Sequence, residues 1–257
     1  MKILFLGIVV PLFSCYAVQE TKTIERYLEL SQQYPQAFGP KGDWTRGEME
    51  IVDDLPTMLQ IQSQFMHPVG IVAEDRFWIW IRDAIILPSG TYNTYNRFIP
   101  KKGLDGPAGV VILAVTPQQG IAVNLIFRHA TRSWEIELPR GGREKGETPE
   151  EAARREVEEE TGYTLSTLFP LGSIATDSGI FTNTLRVFFA HIDQLKIAER
   201  EEEEAIAAVM TLSKNQVMEA FSNGSMECVV NGEIVTAYCR DSFFAYALLL
   251  AGKKGFL

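Results

Sequence analysis

Glu156, Glu159 and Glu160 stand at i, i+3 and i+4 of a segment that reads as one helix, so three carboxylates share a face. As a fold element this arrangement is unfavourable. Glu156 and Glu160 repel across one turn at roughly 0.2–0.5 kcal/mol. Glu158, Glu159 and Glu160 crowd the negative end of the helix dipole, at roughly 0.3–1 kcal/mol for each badly placed charge. A divalent cation reverses the sign of both penalties. Hard carboxylate oxygens suit Mg²⁺ or Mn²⁺.

The element that must carry these acids is well delimited. Thr148 is a good N-cap, Pro149 fits the first helical position, and Glu151 completes a Thr-x-x-Glu capping box. Gly162 is a natural terminator. The signals predict a helix over Pro149–Thr161, entered from a tight turn at Gly141-Gly142. Arg155 lies one turn from both Glu151 and Glu159 and reads as an orienting residue.

The spacing of Gly141, Glu147, Arg155, Glu156, Val157, Glu159, Glu160 and Gly162 resembles the Nudix hydrolase signature G-x5-E-x7-R-E-U-x-E-E-x-G-U, where U is a bulky apolar residue. Tyr163 fills the last position, where an aliphatic residue is more usual. The resemblance implies an α/β sandwich with a mixed β-sheet between helices. It also implies hydrolysis of a phosphoric anhydride, which needs charge neutralisation and an aimed water. Glu156, Glu159 and Glu160 become the expected metal ligands, completed by the backbone carbonyl near Arg140–Gly141. Glu159 and Arg155 are carried as catalytic residues. Gly142, Glu147 and Gly162 are assigned to the organisation of the loop and helix.

The runs Arg82–Gly90, Gly106–Leu113, Phe127-Arg128 and Glu137-Leu-Pro-Arg-Gly141 are similar to one subgroup, the ADP-ribose pyrophosphatases and their nucleoside-diphosphate-sugar relatives. So are the loop 176–183 and the apolar tail from Asp241. The subgroup implies a small N-terminal antiparallel sheet that forms a homodimer and helps bind the base. It also implies a general base on a late mobile loop, which here holds Glu199 and Glu201–Glu204; Glu202 or Glu204 is favoured. Two positions depart from the subgroup: Arg140 replaces a small residue, and Thr184 a common Glu. The Leu-Pro-Arg-Gly run also resembles dinucleoside-polyphosphate hydrolases. The expected substrate is therefore ADP-ribose or a nucleotide sugar, with a dinucleoside polyphosphate or nucleoside triphosphate as the alternative. A non-catalytic, nucleotide-sensing module is the rival from another class.

Arg128 follows a strand and is suited to hold a phosphate bidentately; Glu137 and Arg140 join it as substrate-binding candidates through the resemblance. Trp78, Trp80 and Tyr92 offer rings for a base, although aromatic residues in strands are more often core.

The 257-residue chain carries a net charge of −9 and a pI near 5, which argues against a broad nucleic-acid surface. Residues 1–17 read as a leader: Lys2, an apolar run from Ile3 to Phe13, and a small-residue cleavage site at Cys15-Tyr16-Ala17. The run is too short for an ordinary membrane span. Export to the periplasm or outside the cell is the expectation, with a cytoplasmic location as the alternative. Residues 18–105 read as an N-terminal extension with helix and antiparallel strands, and 106–257 as the Nudix domain. Cys228 and Cys239 are open to pairing in an oxidising compartment or to burial as thiols.

Overall fold

The computed structural model describes residues 12–195 and 205–257, with 12–20, 194 and 195 described by their backbone. The chain forms two compact units: residues 1–106 with Asp177–Thr182, and residues 107–176 with Asn183–Leu257.

In the first unit, helix α1 (Leu12–Gln33) is followed by the single turn α2 (Pro35–Phe38). The sequence predicts helix only from about Thr23, and α1 begins well before that. Asp54 caps α3 (Leu55–Phe65) by accepting from the Thr57 N–H at 3.0 Å. The sheet is antiparallel: β1 (Glu50–Ile51) and β2 (Gly70–Glu74) both pair with β3 (Trp78–Ile86), whose other edge pairs with β4 (Tyr92–Pro100). The apolar segments 78–81 and 84–86 fall on one continuous strand, β3. Ile24, Tyr27, Met58, Ile61, Ile79, Ile81 and Ile99 build the core. Within it the Tyr27 hydroxyl donates to Asp83 Oδ1 at 2.6 Å. Arg97 reaches both oxygens of Asp83, at 2.6 and 2.9 Å, and the Phe38 carbonyl at 2.8 Å.

The second unit is built on a nine-stranded mixed sheet. Its centre is β5 (Gly109–Val115), parallel to β10 (Thr184–Leu195), which runs antiparallel to β9 (Tyr163–Ala175). On the other side come β6 (Ile121–Arg128) and β7 (Ser133–Glu137); β8 (Arg140–Gly142) pairs with β5, and β11 (Ile206–Leu212) with β6. The turn Thr116–Gly120 joins β5 to β6 through a single strand pair, Val115–Ile121, before β6 diverges to its other neighbours.

Every residue of β5 is buried because both faces of the sheet are covered. Val110, Ile112 and Ala114 meet Ala152, Ala153 and Val157 of helix α4 (Pro149–Thr161). Val111, Leu113 and Val115 face the core that includes Val217 of α5 (Lys214–Asn223) and Phe244 of α6 (Ser242–Lys253).

One hairpin was not anticipated. Strands β12 (Ser225–Val230) and β13 (Glu233–Tyr238) flank Asn231-Gly232, both with positive φ, 52° and 85°. Two left-handed central residues are what a type I′ hairpin turn requires, and Asn-Gly is its sequence signal. Cys228 and Cys239 are both buried, free thiols. Burial pushes each up, Cys239 to about 11 with help from Asp241 and Glu135. Among the described residues no helix is long and apolar enough to cross a membrane.

Candidate active site

Helix α4 forms over the residues its caps prescribe. Thr148 accepts from the Glu151 N–H at 3.2 Å, Glu151 accepts from the Thr148 N–H at 2.8 Å, and Gly162 terminates the helix with φ 74°. The three acids do not share one environment. Glu156 and Glu160 are 7% and 6% exposed, whereas the Glu159 side chain is 38% exposed.

Arg155 gathers the acids. Its Nη1 donates to Glu156 Oε1 and Glu159 Oε2, both at 2.8 Å. Nε and Nη2 grip the two oxygens of Glu147 at 2.9 and 3.0 Å, and Nη2 also reaches the Gly142 carbonyl at 3.0 Å. These carboxylates raise the guanidinium pKa above its already high value, the hydrogen bonds to Glu147 most of all. The sequence anticipated Glu159 but also Glu151, which the capping box takes instead. Arg143 fixes the same loop through the carbonyls of Pro107 and Glu147, at 3.1 and 2.9 Å.

Glu160 is held from the sheet. Asn124 Nδ2 of β6 donates to Glu160 Oε2 at 2.7 Å, and the Arg140 backbone N–H of β8 reaches the same oxygen at 3.1 Å. Asn124 is 2% exposed, and its Oδ1 has no hydrogen-bond partner among the described residues. Such an orphan acceptor costs about 1–3 kcal/mol.

The expected substrate-binding residues come together as a charged chain. Glu137 is 5% exposed and accepts from Arg128 at 3.0 Å and from Arg140 Nη2 at 2.6 Å. It therefore holds two guanidinium groups, of which Arg128 is the more exposed. Arg140 continues to Asp241 Oδ1 at 3.0 Å and lies over the Phe243 ring at 4.9 Å. Sequence reasoning missed two members of this site. Asp241 was legible only as the start of the last helix, where it does act as N-cap. Burial raises its pKa more than Arg140 lowers it, and its Oδ2 is buried with no partner among the described residues. Asn124 had one available signal, a lone amide inside the apolar run Ile-Ala-Val-Asn-Leu-Ile-Phe.

Two observations bear on whether these residues fit a divalent cation. The donor set is all oxygen, as Mg²⁺ or Mn²⁺ demands. Gly141 faces Glu156 so closely that a Cβ there would overlap the carboxylate, so the glycine makes room for an acid against the β8 backbone. Among the described residues no three acids, histidines or cysteines stand in a ready metal cluster. Arg155 occupies the position between Glu156 and Glu159, so a cation there would share or displace its charge. The set fits in chemistry, and Arg155 supplies the neutralisation in this structure. Glu202, the expected base, and the other acids of 199–204 lie outside the described residues, as does most of the predicted leader.

Trp78 and Trp80 line a cleft of about 420 Å³ in the first unit, with Phe98 and Phe181. Trp80 and Phe98 stack at 5.7 Å and 18°. Tyr92 does not line this cleft. His129 sits in the turn after β6 and contacts Arg132 at 2.8 Å.

Comparison with known proteins adds to this geometry. Residues 106–227 match the NUDIX domain family model. The chain is 38% identical over 97 residues to an ADP-ribose pyrophosphatase of Bacillus subtilis, covering 38% of this chain and 51% of that protein. It is 33% identical over 108 residues to a methanol dehydrogenase activator of Bacillus methanolicus, covering 42% and 55%. The chain thus spans about half the length of each relative. Among solved structures, an ADP compounds hydrolase matches with a TM-score of 0.55 at 19% identity, over 73% of this chain and 92% of that one, which shows a shared fold. Over residues 106–227 the chain is thus similar to the NUDIX domain family, and within the matched region it resembles an ADP-ribose pyrophosphatase.

Proposed function

We propose that this protein is a divalent-metal-dependent pyrophosphohydrolase acting on a nucleoside diphosphate joined to a second moiety, ADP-ribose first. The observation that carries the proposal is the acid set of α4, two of its members buried, held by Arg155, Asn124 and the β8 backbone. The likeness to an ADP-ribose pyrophosphatase supports the substrate class.

Mg²⁺ or Mn²⁺ held by Glu156, Glu159, Glu160 and the backbone carbonyl at Arg140–Gly141 would neutralise diphosphate charge and acidify water. Arg155 keeps Glu156 and Glu159 turned toward one point. Arg128, the more exposed of the two guanidinium groups on Glu137, is placed to receive a phosphate oxygen. Glu137 aims Arg128, and Arg140 ties the strand bearing Gly141 to α6. Water oxygen bonds to phosphorus as the bridging P–O bond breaks; the water's proton passes to a base, Glu202 by resemblance. The products are a nucleoside monophosphate and a sugar phosphate. Trp78 and Trp80 offer stacking faces for a base. Homodimerisation through the N-terminal strands and export by residues 1–17 complete the proposal; light scattering and cell fractionation test them.

The Leu138-Pro139-Arg140-Gly141 run favours a second reading, a dinucleoside-polyphosphate hydrolase. Turnover of ADP-ribose, UDP-sugars, diadenosine tetraphosphate and dNTPs with Mg²⁺ or Mn²⁺ decides between them. Preference for ADP-ribose or a nucleotide sugar supports the first reading. Preference for diadenosine tetraphosphate replaces it, and tight ADP-ribose binding with no hydrolysis at any metal concentration leaves a sensing module.

A further inference from the structure

We infer that Asn124 is a positioning residue for the Glu160 carboxylate, an inference that rests on the metal-dependent reading above. Three observations converge on it. Asn124 interrupts an apolar run on β6, a strand buried up to Ile126, and amides are poor strand formers. Its Nδ2 gives Glu160 Oε2 a 2.7 Å hydrogen bond in a fully buried setting. Its Oδ1 is left without a partner among the described residues, so folding alone would favour Leu or Val at this position.

The placement explains what the amide does. Asn124 lies directly across from Glu137 of β7 and from Val209 of β11, so its strand is fixed on both edges. The Arg140 N–H adds a second donor to the same Glu160 oxygen from β8. Two donors on two strands of one sheet set the angle of a carboxylate that belongs to a helix. The orientation of Glu160 is thereby registered to the sheet rather than left to its own rotamers. Outer partners of this kind tune metal affinity when they are removed.

The test compares Asn124→Leu with the unaltered full chain. Leucine keeps the volume, removes the donor and removes the orphan acceptor. Calorimetric titration with Mn²⁺ alone, without nucleotide, is expected to show affinity weakened about tenfold. Melting temperature is expected to stay level or rise. In turnover, the metal concentration for half-maximal rate should rise by a similar factor. A residue that merely supports the fold would shift melting and leave Mn²⁺ affinity alone. Should the leucine variant not fold, Asn124→Ala gives the same readout, with the same weakening expected. Unchanged Mn²⁺ affinity in the folded variant overturns this inference by itself. No Mn²⁺ uptake by the unaltered protein overturns the metal-dependent reading and this inference together.

Discussion

A Cβ placed on Gly141 would overlap the carboxylate of Glu156. The obstacle is the far end of a flexible side chain, so the strain of an added methyl falls on where Glu156 points rather than on the fold. Gly141→Ala is therefore expected to melt close to the unaltered protein and to lose at least about tenfold in Mn²⁺ affinity. Calorimetry beside a melting curve checks it; a large drop in melting temperature with intact Mn²⁺ binding contradicts it.

Glu156→Gln and Glu160→Gln keep shape and remove charge. Each is expected to lower turnover of the preferred substrate by about 10²–10³-fold. Glu159→Gln should cost less, since that side chain is far more exposed. Chelation should abolish activity, and Mg²⁺ or Mn²⁺ should restore it. A steady-state assay on each variant decides, and full turnover by Glu160→Gln ends the metal assignment.

Arg97 is largely buried and reaches both oxygens of Asp83, while Tyr27 donates one hydrogen bond to the same carboxylate. Removing the carboxylate strands a buried cation; removing the hydroxyl does not. Asp83→Ala is expected to cost about 3–5 kcal/mol and Tyr27→Phe about 1 kcal/mol. Denaturant unfolding of both variants measures the gap, and equal losses would refute this account.

Burial alone would raise the Glu135 carboxyl, but hydrogen bonds from Arg240 and Ser133 outweigh it and hold the pKa below the usual glutamate value. A depressed folded-state value means the stabilisation is present above the unfolded pKa and lost as pH falls through the folded one. Arg240→Ala should therefore lower melting temperature at about pH 7, and do so progressively less as acid protonates Glu135 through its depressed folded-state value. Melting curves across that range test the convergence.

Local rules made α4 legible because Thr148, Pro149, Glu151 and Gly162 act within one turn of each helix end. The same holds for α5, where Ser213 and Gln216 form a second capping box. The signature loop was legible because its spacing is linear in sequence. What escaped depends on pairing across distance. Asn124 and Asp241 earn their places through Glu160 and Arg140, contacts that no local pattern encodes. Strand β3 runs straight through the charged pair Arg82-Asp83. In the fold, Asp83 is buried with Arg97 as its partner, so the charge does not interrupt the strand. The β12–β13 hairpin is a different kind of miss, since Asn231-Gly232 announced it.

Residues 177–182 belong to the first unit although the strands on either side of them belong to the second. Phe181 packs with Trp78 and Phe98, so the aromatic cleft of the first unit draws one wall from a segment far along the chain. Recombination at residue 106 alone would not transplant that cleft intact.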